Sequence, residues 1–267
     1  MNVEFFTSEY HFVVESVVAG LLASFACGLG ALPLLLRGAR VRLGIGLGYG
    51  FSGGMMFAAS VYNLLLPAFT LGAENSARLQ PVLYTLGGMF LGCVFLWSVE
   101  RFLTPERLES RWLRPLGGRV GALVFITMTL HSIPEGVAVG VGFGSEEHLG
   151  SVANLGVYIS AAIAIHNIPE GLAVAIPLHA QGASVSRCFW FAFFTSLPQP
   201  VAAVPASLLV SFFEPLMLPF LGFAAGAMMY LVIVELIPDA LESQSRSQIA
   251  WAFMIGFGLM ALVQVAL

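Results

Sequence analysis

Eight stretches of mainly apolar residues, each long enough to cross a lipid bilayer as a helix, constrain this chain more than any other feature of its sequence. A membrane-spanning helix needs about 20 such residues, because a helix rises about 1.5 Å per residue and the hydrocarbon core is about 30 Å thick. The stretches cover residues 11–36, 43–70, 82–103, 118–142, 152–178, 187–212, 216–240 and 248–267. They predict an all-α polytopic membrane protein with eight transmembrane helices, forming a single transmembrane domain over residues 1–267.

The composition of the chain excludes several classes of protein. Only 10% of the residues are charged, whereas soluble domains average about 25%. The 11 basic residues are all arginine and stand against 15 acidic residues, so a clustered basic surface for nucleic acid is not expected. Cys27, Cys93 and Cys188 lie in separate apolar stretches without CxxC spacing. They are therefore interpreted as core residues rather than as a disulfide or zinc-finger framework.

The distribution of the arginines predicts the orientation of the chain in the membrane. Ten of the 11 arginines lie in or beside the connections that follow the first, third, fifth and seventh predicted helices. Only Arg78 lies in a connection on the other side of the membrane. Because connections rich in Arg and Lys stay in the cytoplasm, both termini are predicted to lie outside it. The charged stretch 104–117 is then a solvated cytoplasmic loop. The predicted location is the cytoplasmic (inner) membrane of a prokaryote, which the chain crosses several times.

Two pairs of predicted helices resemble each other. Helix 2 contains GGMMFAASVYNLLLPA from Gly53, and helix 7 contains GAMMYLVIVELIPDA from Gly226. Each has a small residue, a Met pair, an aromatic residue and an apolar run closed by proline. Helices 4 and 5 resemble each other more closely still. An inverted repeat, with three helices at each end around a central pair, gives this pattern and is common among transporters, although apolar segments also come to resemble each other through composition alone.

The central pair of helices carries the residues that point to chemistry. Helix 4 contains HSIPEG from His131, and helix 5 contains HNIPEG from His166. In each motif the His and the Glu stand at positions i and i+4, so they project from one helix face about 6 Å apart. Imidazole nitrogen and carboxylate oxygen are good ligands for Zn²⁺ and related divalent ions. The sequence therefore predicts a metal site between helices 4 and 5.

The alternative interpretation of this motif is structural, with hydrogen-bonded core histidines and glutamates that stabilise proline kinks. A charged side chain at the bilayer centre costs at least about 2.5 kcal/mol, so it marks an ion pathway or a site by default. Glu135 and Glu170 stand at mid-span in the same hexapeptide frame. Coordination of a cation would offset the cost of burying both, which favours the metal site.

The sequence as a whole resembles a known family. The tandem HxIPEG helices, the Met pair of helix 2, the ELIPDA ending of helix 7 and the eight spans are similar to the ZIP (Zrt/Irt-like) divalent metal transporters, specifically to the prokaryotic zinc-transporter and GufA-like branch. The resemblance implies uptake of Zn²⁺, and variously of Cd²⁺, Fe²⁺, Mn²⁺ or Co²⁺, into the cytoplasm by an elevator-like form of alternating access. The metal would be a transported substrate rather than a cofactor, and the family commonly forms homodimers.

The resemblance also implies a first transport site of two His, two Glu and one Met. Its members here would be His131, Glu135, His166, Glu170 and Met56. Met55 stays open as the alternative to Met56, because it is one residue and about 100° away on the same helix. A thioether is a soft and weak ligand for Zn²⁺, so this Met would tune selectivity more than affinity.

The chain departs from the family at the second, adjacent metal site. The usual Asn of helix 4 is Ser132 here, and the Glu expected in helix 6 is Gln199. The helix 5 position that is often Asp or Asn in the family is Asn167. Neutral groups attract a dication less strongly than carboxylates do in a low dielectric, so this second site is predicted to be weakened. Glu235 of helix 7 is the candidate for an exit site, with an interfacial acid as the equal alternative.

Two other functions compete with a carrier. An intramembrane zinc metalloenzyme typically has HExxH, in which the Glu beside the first His activates water. Here Ser132 follows His131 and Asn167 follows His166, so the sequence predicts that the chain is not an enzyme. A channel-like metal pore of the same fold cannot be distinguished from a carrier by sequence.

Overall fold

The computed structural model describes residues 10–35, 41–73, 79–102, 118–149 and 154–266. Long helices, here α1 to α8, make up these ranges, with short 3₁₀ turns at Leu32–Leu35 and Glu214–Leu216. Five of the helices are continuous: α1 is His11–Leu29, α3 is Leu79–Phe102, α4 is Gly118–Leu149, α5 is Leu155–Ala180 and α8 is Arg246–Ala266.

The other three long helices are composite. Helix α2 runs over Val41–Ala59, a π-helical segment at Ser60–Leu65, and Leu66–Ala73. Helix α6 consists of Val185–Thr195 and Pro198–Phe212. Helix α7 runs over Met217–Leu231, a π-helical segment at Val232–Leu236, and Ile237–Ser243.

These helices have the dimensions of membrane spans. Within the described part of the chain, seven helical stretches are long and apolar enough to cross a bilayer: His11–Leu35, Gly46–Thr70, Leu79–Arg101, Leu155–Ala180, Val185–Phe212, Glu214–Ser243 and Arg246–Ala266. The eighth long helix is α4, which has 32 residues and carries the first HxIPEG motif. The structure confirms the all-α polytopic membrane fold, while the predicted loop 104–117 lies outside the described residues.

Proline explains where the composite helices change. The span predicted as one helix over 187–212 breaks at Ser196 and Leu197, and its second half begins at Pro198. Proline is favoured at the first position of a helix, because its missing N–H would have no partner there. Pro67 and Pro238 similarly cannot donate to the carbonyls four residues earlier. Each π segment ends two residues before its proline, and such segments are frequent at functional sites.

The helices pack in symmetrical pairs. The most extensive contacts join α3 to α7, α2 to α8, α4 to α6 and α1 to α5. If α1, α2, α3 and α4 are exchanged with α6, α7, α8 and α5, each of these pairings maps onto another. The contacts of α4 with α7 and of α2 with α5 also map onto each other. The packing thus has the symmetry that the predicted 3+2+3 inverted repeat requires, with α4 and α5 as its central pair.

Glycines allow the backbones of α3 and α7 to touch. Gly88 and Gly92 of α3 face the backbone at Pro219 and Phe223, and Gly222 of α7 faces that of α3 in return. A Cβ added at Gly88 would lie 2.8 Å from the Cα of Pro219, which is closer than real side chains approach. Small residues at such spacing are the usual means of close helix packing in a bilayer.

This contact makes a prediction about stability. Gly88→Val is expected to destabilise the protein by about 1–3 kcal/mol, because the new side chain overpacks a backbone contact that cannot yield. Gly87→Val is the matched control, since a Cβ at Gly87 meets nothing within 4 Å. Thermal unfolding in detergent, followed by size-exclusion chromatography, measures both variants. Equal midpoints for Gly88→Val and Gly87→Val would contradict the packing described here.

Candidate metal centre

The two HxIPEG motifs meet because α4 and α5 are neighbours that run in opposite directions. A connection of only five residues, 150–154, joins the end of α4 to the start of α5. In this arrangement the His of one motif lies level with the Glu of the other. Accordingly, Nε2 of His166 lies 3.3 Å from Oε1 of Glu135.

Three buried side chains form the centre of the site. The ligand atoms of Glu135, His166 and Glu170 all lie within 4.8 Å of one another, and each residue is at most 2% exposed. Oε2 of Glu170 has no hydrogen-bond partner among the described residues. Two carboxylates this close in a low dielectric repel each other strongly. A divalent cation bound between them would remove that repulsion, and the available donor set of one nitrogen and carboxylate oxygens suits Zn²⁺.

His131 does not belong to this group of three and lies instead near α7. Its Nε2 lies 3.8 Å from Oε1 of Glu235 on α7, and its Nδ1 has no hydrogen-bond partner among the described residues. His131 stands level with Glu170 in the antiparallel pair, one turn from Glu135. The structure thus brings together three of the four His and Glu residues predicted for the first site, and it places His131 beside Glu235, the predicted exit residue.

Glu235 and His131 also line a side cavity that the sequence did not reveal. This cavity of about 100 Å³ lies between α3, α4 and α7, and Glu100 and Tyr230 complete its polar lining. The Tyr230 hydroxyl donates a hydrogen bond to Oε2 of Glu100 over 3.2 Å. Glu100 stands next to Arg101 at the end of a span, where an acid is expected to be solvated. The sequence therefore gives no indication that Glu100 lines a cavity, because this depends on the packing of α3 against α7.

A second and larger cavity connects the group of three to one end of the bundle. It measures about 240 Å³ and lies between α2, α5 and α7. Met56 and Glu170 line its inner part, and Tyr49 and Asp239 line the part toward the start of α2 and the end of α7. That end of the bundle is the one at which the sequence places most arginines. The cavity thus extends from the centre toward the predicted cytoplasmic side.

The structure distinguishes the two methionines of α2. Met56 is 1% exposed and lines the larger cavity together with Glu170. Met55 packs instead in a separate apolar cluster with Ala162 and Met260. Of the two candidates, Met56 is the one whose side chain lies beside the group of three.

Two residues of the predicted second site, Asn167 and Gln199, form hydrogen bonds next to Glu135. The Nε2 group of Gln199 donates a hydrogen bond to Oε2 of Glu135. Asn167 donates from Nδ2 to the carbonyl of Ala23 at 3.1 Å and to Oε1 of Gln199 at 3.3 Å. The amide of Gln199 therefore occupies the side of Glu135 on which a second cation would bind.

Ser132 is likewise engaged with the backbone. Its Oγ lies 3.0 Å from the carbonyl oxygens of Met128 and Thr195. The close approach of α6 to α4 depends on Gly136, where an added Cβ would lie 2.8 Å from the Cα of Gln199. The break in α6 before Pro198 and this glycine together bring Gln199 against Glu135.

Comparisons with known proteins agree with one another. The family model described as ZIP zinc transporter matches residues 114–264. The zinc transporter GufA of Myxococcus xanthus is 35% identical over 251 residues, which are 91% of this chain and 96% of that protein. The zinc transporter ZIPB of Bordetella bronchiseptica is 33% identical over 266 residues, covering 98% of this chain and 84% of that protein. The human zinc transporter ZIP11 is 42% identical over 147 residues, or 55% of this chain and 43% of that protein.

Proposed function

Because this chain belongs to the ZIP zinc transporter family, we propose that it carries divalent metal ions, Zn²⁺ above all, across a membrane. The observation that supports this most directly is the buried group of Glu135, His166 and Glu170, whose ligand atoms lie within 4.8 Å of one another. The group lies within the bundle that helices α1 to α8 form, and Glu170 borders a cavity. Zinc is thus a substrate of the protein and not its cofactor.

In this proposal Glu135, His166 and Glu170 hold the ion at the centre of the protein. Met56, beside Glu170 on the cavity wall, supplies a soft and weak fourth ligand. His131 accepts the ion next, because it lies one turn from Glu135 on α4 and 3.8 Å from Glu235. Glu235, with a side chain 33% exposed, then passes the ion to the larger cavity and to Asp239.

The direction of transport follows from the orientation that the arginines predict. The larger cavity extends toward the arginine-rich side, so the conformation described here is the inward-facing one and release is into the cytoplasm. Both termini then lie outside, in keeping with a prokaryotic inner membrane. Alternating access would move the group α1, α4, α5 and α6, which carries the HxIPEG motifs, against the group α2, α3, α7 and α8. The homodimer implied by family resemblance stays a prediction.

The second metal site has little affinity in this proposal. The carboxylate that the family places in helix 6 is replaced by Gln199, whose amide donates to Glu135. Ser132 and Asn167 direct their polar atoms to carbonyl groups and to Gln199. The transporter therefore carries one ion at a time.

Two other functions receive less support. A zinc metalloenzyme needs a general base beside its metal, whereas the relatives above are named transporters and each motif His is followed by Ser132 or Asn167. A channel-like pore needs a continuous path. Against it, the three central residues are at most 2% exposed, which favours a carrier that closes around its ion.

Uptake by proteoliposomes tests the proposed function, its substrate and its site together. The parent protein is expected to take up Zn²⁺ saturably, with Cd²⁺, Fe²⁺, Mn²⁺ and Co²⁺ tested beside it. His166→Ala is expected to lower the rate at least about 10-fold, because a lost metal ligand or its support costs about 10–100-fold in affinity. His11→Ala is the control, since His11 is exposed at the start of α1. Uptake that is insensitive to His166→Ala would contradict the assigned site.

A further inference from the structure

Asn63 lies in the π segment of α2 and is the least satisfied polar side chain of that helix. It is 1% exposed, yet neither its Nδ2 nor its Oδ1 has a hydrogen-bond partner among the described residues. A buried polar group left without a partner costs about 1–3 kcal/mol. Such a group in a folded protein calls for an explanation by a ligand, an ion or another conformation.

The position of Asn63 along α2 places it on the closed side of the centre. Tyr49, early in α2, lines the cavity that extends toward the arginine-rich side, and Met56 lines the same cavity at its inner end. Asn63 stands seven residues beyond Met56, or about 10 Å further along the helix axis. There the π segment is covered by the first part of α7, Met217–Leu231, and by α5.

The symmetry of the packing gives Asn63 a counterpart. Helices α2 and α7 exchange under the pairing described above, and each carries one of the two π segments. The π segment of α7 holds Glu235, which lines the cavities of the inward-facing conformation. The π segment of α2 holds Asn63 in the corresponding place on the opposite side of the centre.

From these observations we infer that Asn63 is an ion-binding position on the outer path, where its amide oxygen binds a divalent cation on its way to Glu135, His166 and Glu170. This inference rests on the proposed function. In an inverted repeat, the outward-facing state arises when the two halves exchange their conformations. The region around Asn63 then opens as the region around Glu235 is open here, and Oδ1 gains water or the ion as a partner.

The neutral amide suits this position in both states. A carboxylate at the same place would be charged and buried whenever the outer path is closed, at a much greater cost than an amide. The unsatisfied amide also raises the free energy of the inward-facing state relative to the outward-facing one. Asn63 therefore favours the return of the carrier to the state that accepts a new ion.

Side-specific labelling of a cysteine tests the inference. Asn63→Cys is introduced into a parent in which Cys27, Cys93 and Cys188 are replaced by Ala, and a membrane-impermeant maleimide is added from the outer side of intact cells. Asn63→Cys is expected to be labelled, and added Zn²⁺ to slow the labelling. Leu64→Cys is the matched control, because Leu64 is equally buried in the same π segment but packs in the apolar core. Labelling of Asn63→Cys no faster than that of Leu64→Cys would overturn the inference.

A kinetic measurement keeps the test independent of the cysteine-free parent. In the chain with its natural cysteines, Asn63→Ala is expected to raise the Zn²⁺ concentration for half-maximal uptake about fivefold, as the loss of about 1 kcal/mol of binding requires. Asn63→Ser, which keeps a neutral oxygen ligand in a smaller side chain, is expected to restore most of it. An equal defect in both variants would point to a structural role and overturn the inference.

A parent without Zn²⁺ uptake contradicts the proposed function, whereas an active parent with unlabelled Asn63→Cys contradicts only the inference.

Discussion

Replacing Glu170 with glutamine is expected to lower the rate of Zn²⁺ uptake at least about 100-fold. The substitution keeps the size and the polarity of the side chain and removes only its charge. Removal of one member of a buried charged set costs about 3–5 kcal/mol, and each factor of ten corresponds to about 1.4 kcal/mol. Glu170 is 2% exposed and has an oxygen without a hydrogen-bond partner among the described residues, so its carboxylate is available to the ion.

The matched control is the same substitution at another glutamate of a membrane helix. Glu15 of α1 is exposed and lines a groove between α1, α4 and α5, away from the centre. Glu15→Gln is expected to keep most of the uptake. Initial rates in proteoliposomes, normalised to the amount of reconstituted protein, give the comparison. Glu170→Gln with more than half of the parent rate would show that the ion does not use this carboxylate.

The metal centre was predictable to the extent that it depends on helical periodicity. The spacing of His131 to Glu135 and of His166 to Glu170 places each pair on one helix face, and a short connection makes the two helices antiparallel neighbours. Periodicity alone does not determine which member of each pair turns inward. In the structure Glu135, His166 and Glu170 come together, while His131 faces α7 because Glu235 approaches it there.

Other parts of the fold depend on contacts that no sequence pattern indicates. The sequence predicts one continuous helix over 187–212, but the structure breaks it before Pro198, and the packing of α6 on Gly136 brings Gln199 to Glu135. The π segments of α2 and α7 interrupt spans that the sequence predicts as continuous helices. Glu100 and Tyr230 lie on different helices and meet only when α3 packs on α7.

The backbone contacts that glycine allows are also what hold the centre in shape. Gly171, one residue after Glu170, faces the backbone of Cys27 on α1. Gly136, one residue after Glu135, faces the backbone at Gln199 on α6. Each glutamate is therefore followed by a glycine that fixes its helix against a neighbour. This arrangement holds the two carboxylates close together despite their repulsion.

Gln199→Glu is expected to raise the number of divalent ions bound per chain from one to two. The amide of Gln199 now donates to Oε2 of Glu135 and accepts from Asn167. A carboxylate in its place cannot donate to Glu135 and instead repels it, which adds a third charge beside the two glutamates. Without metal this variant should be less stable than the parent. Zn²⁺ should stabilise it more than it stabilises the parent, because each bound ion stabilises the folded state by an amount that rises with the logarithm of its affinity.

The number of bound ions can be measured by equilibrium dialysis and elemental analysis of the purified protein, and the stability by thermal unfolding with and without Zn²⁺. Gln264→Glu serves as the control, since Gln264 lies near the end of α8, away from the centre. That variant should bind as many ions as the parent. If Gln199→Glu also binds no more ions than the parent, then the hydrogen bond from Gln199 to Glu135 is not what keeps a second ion out.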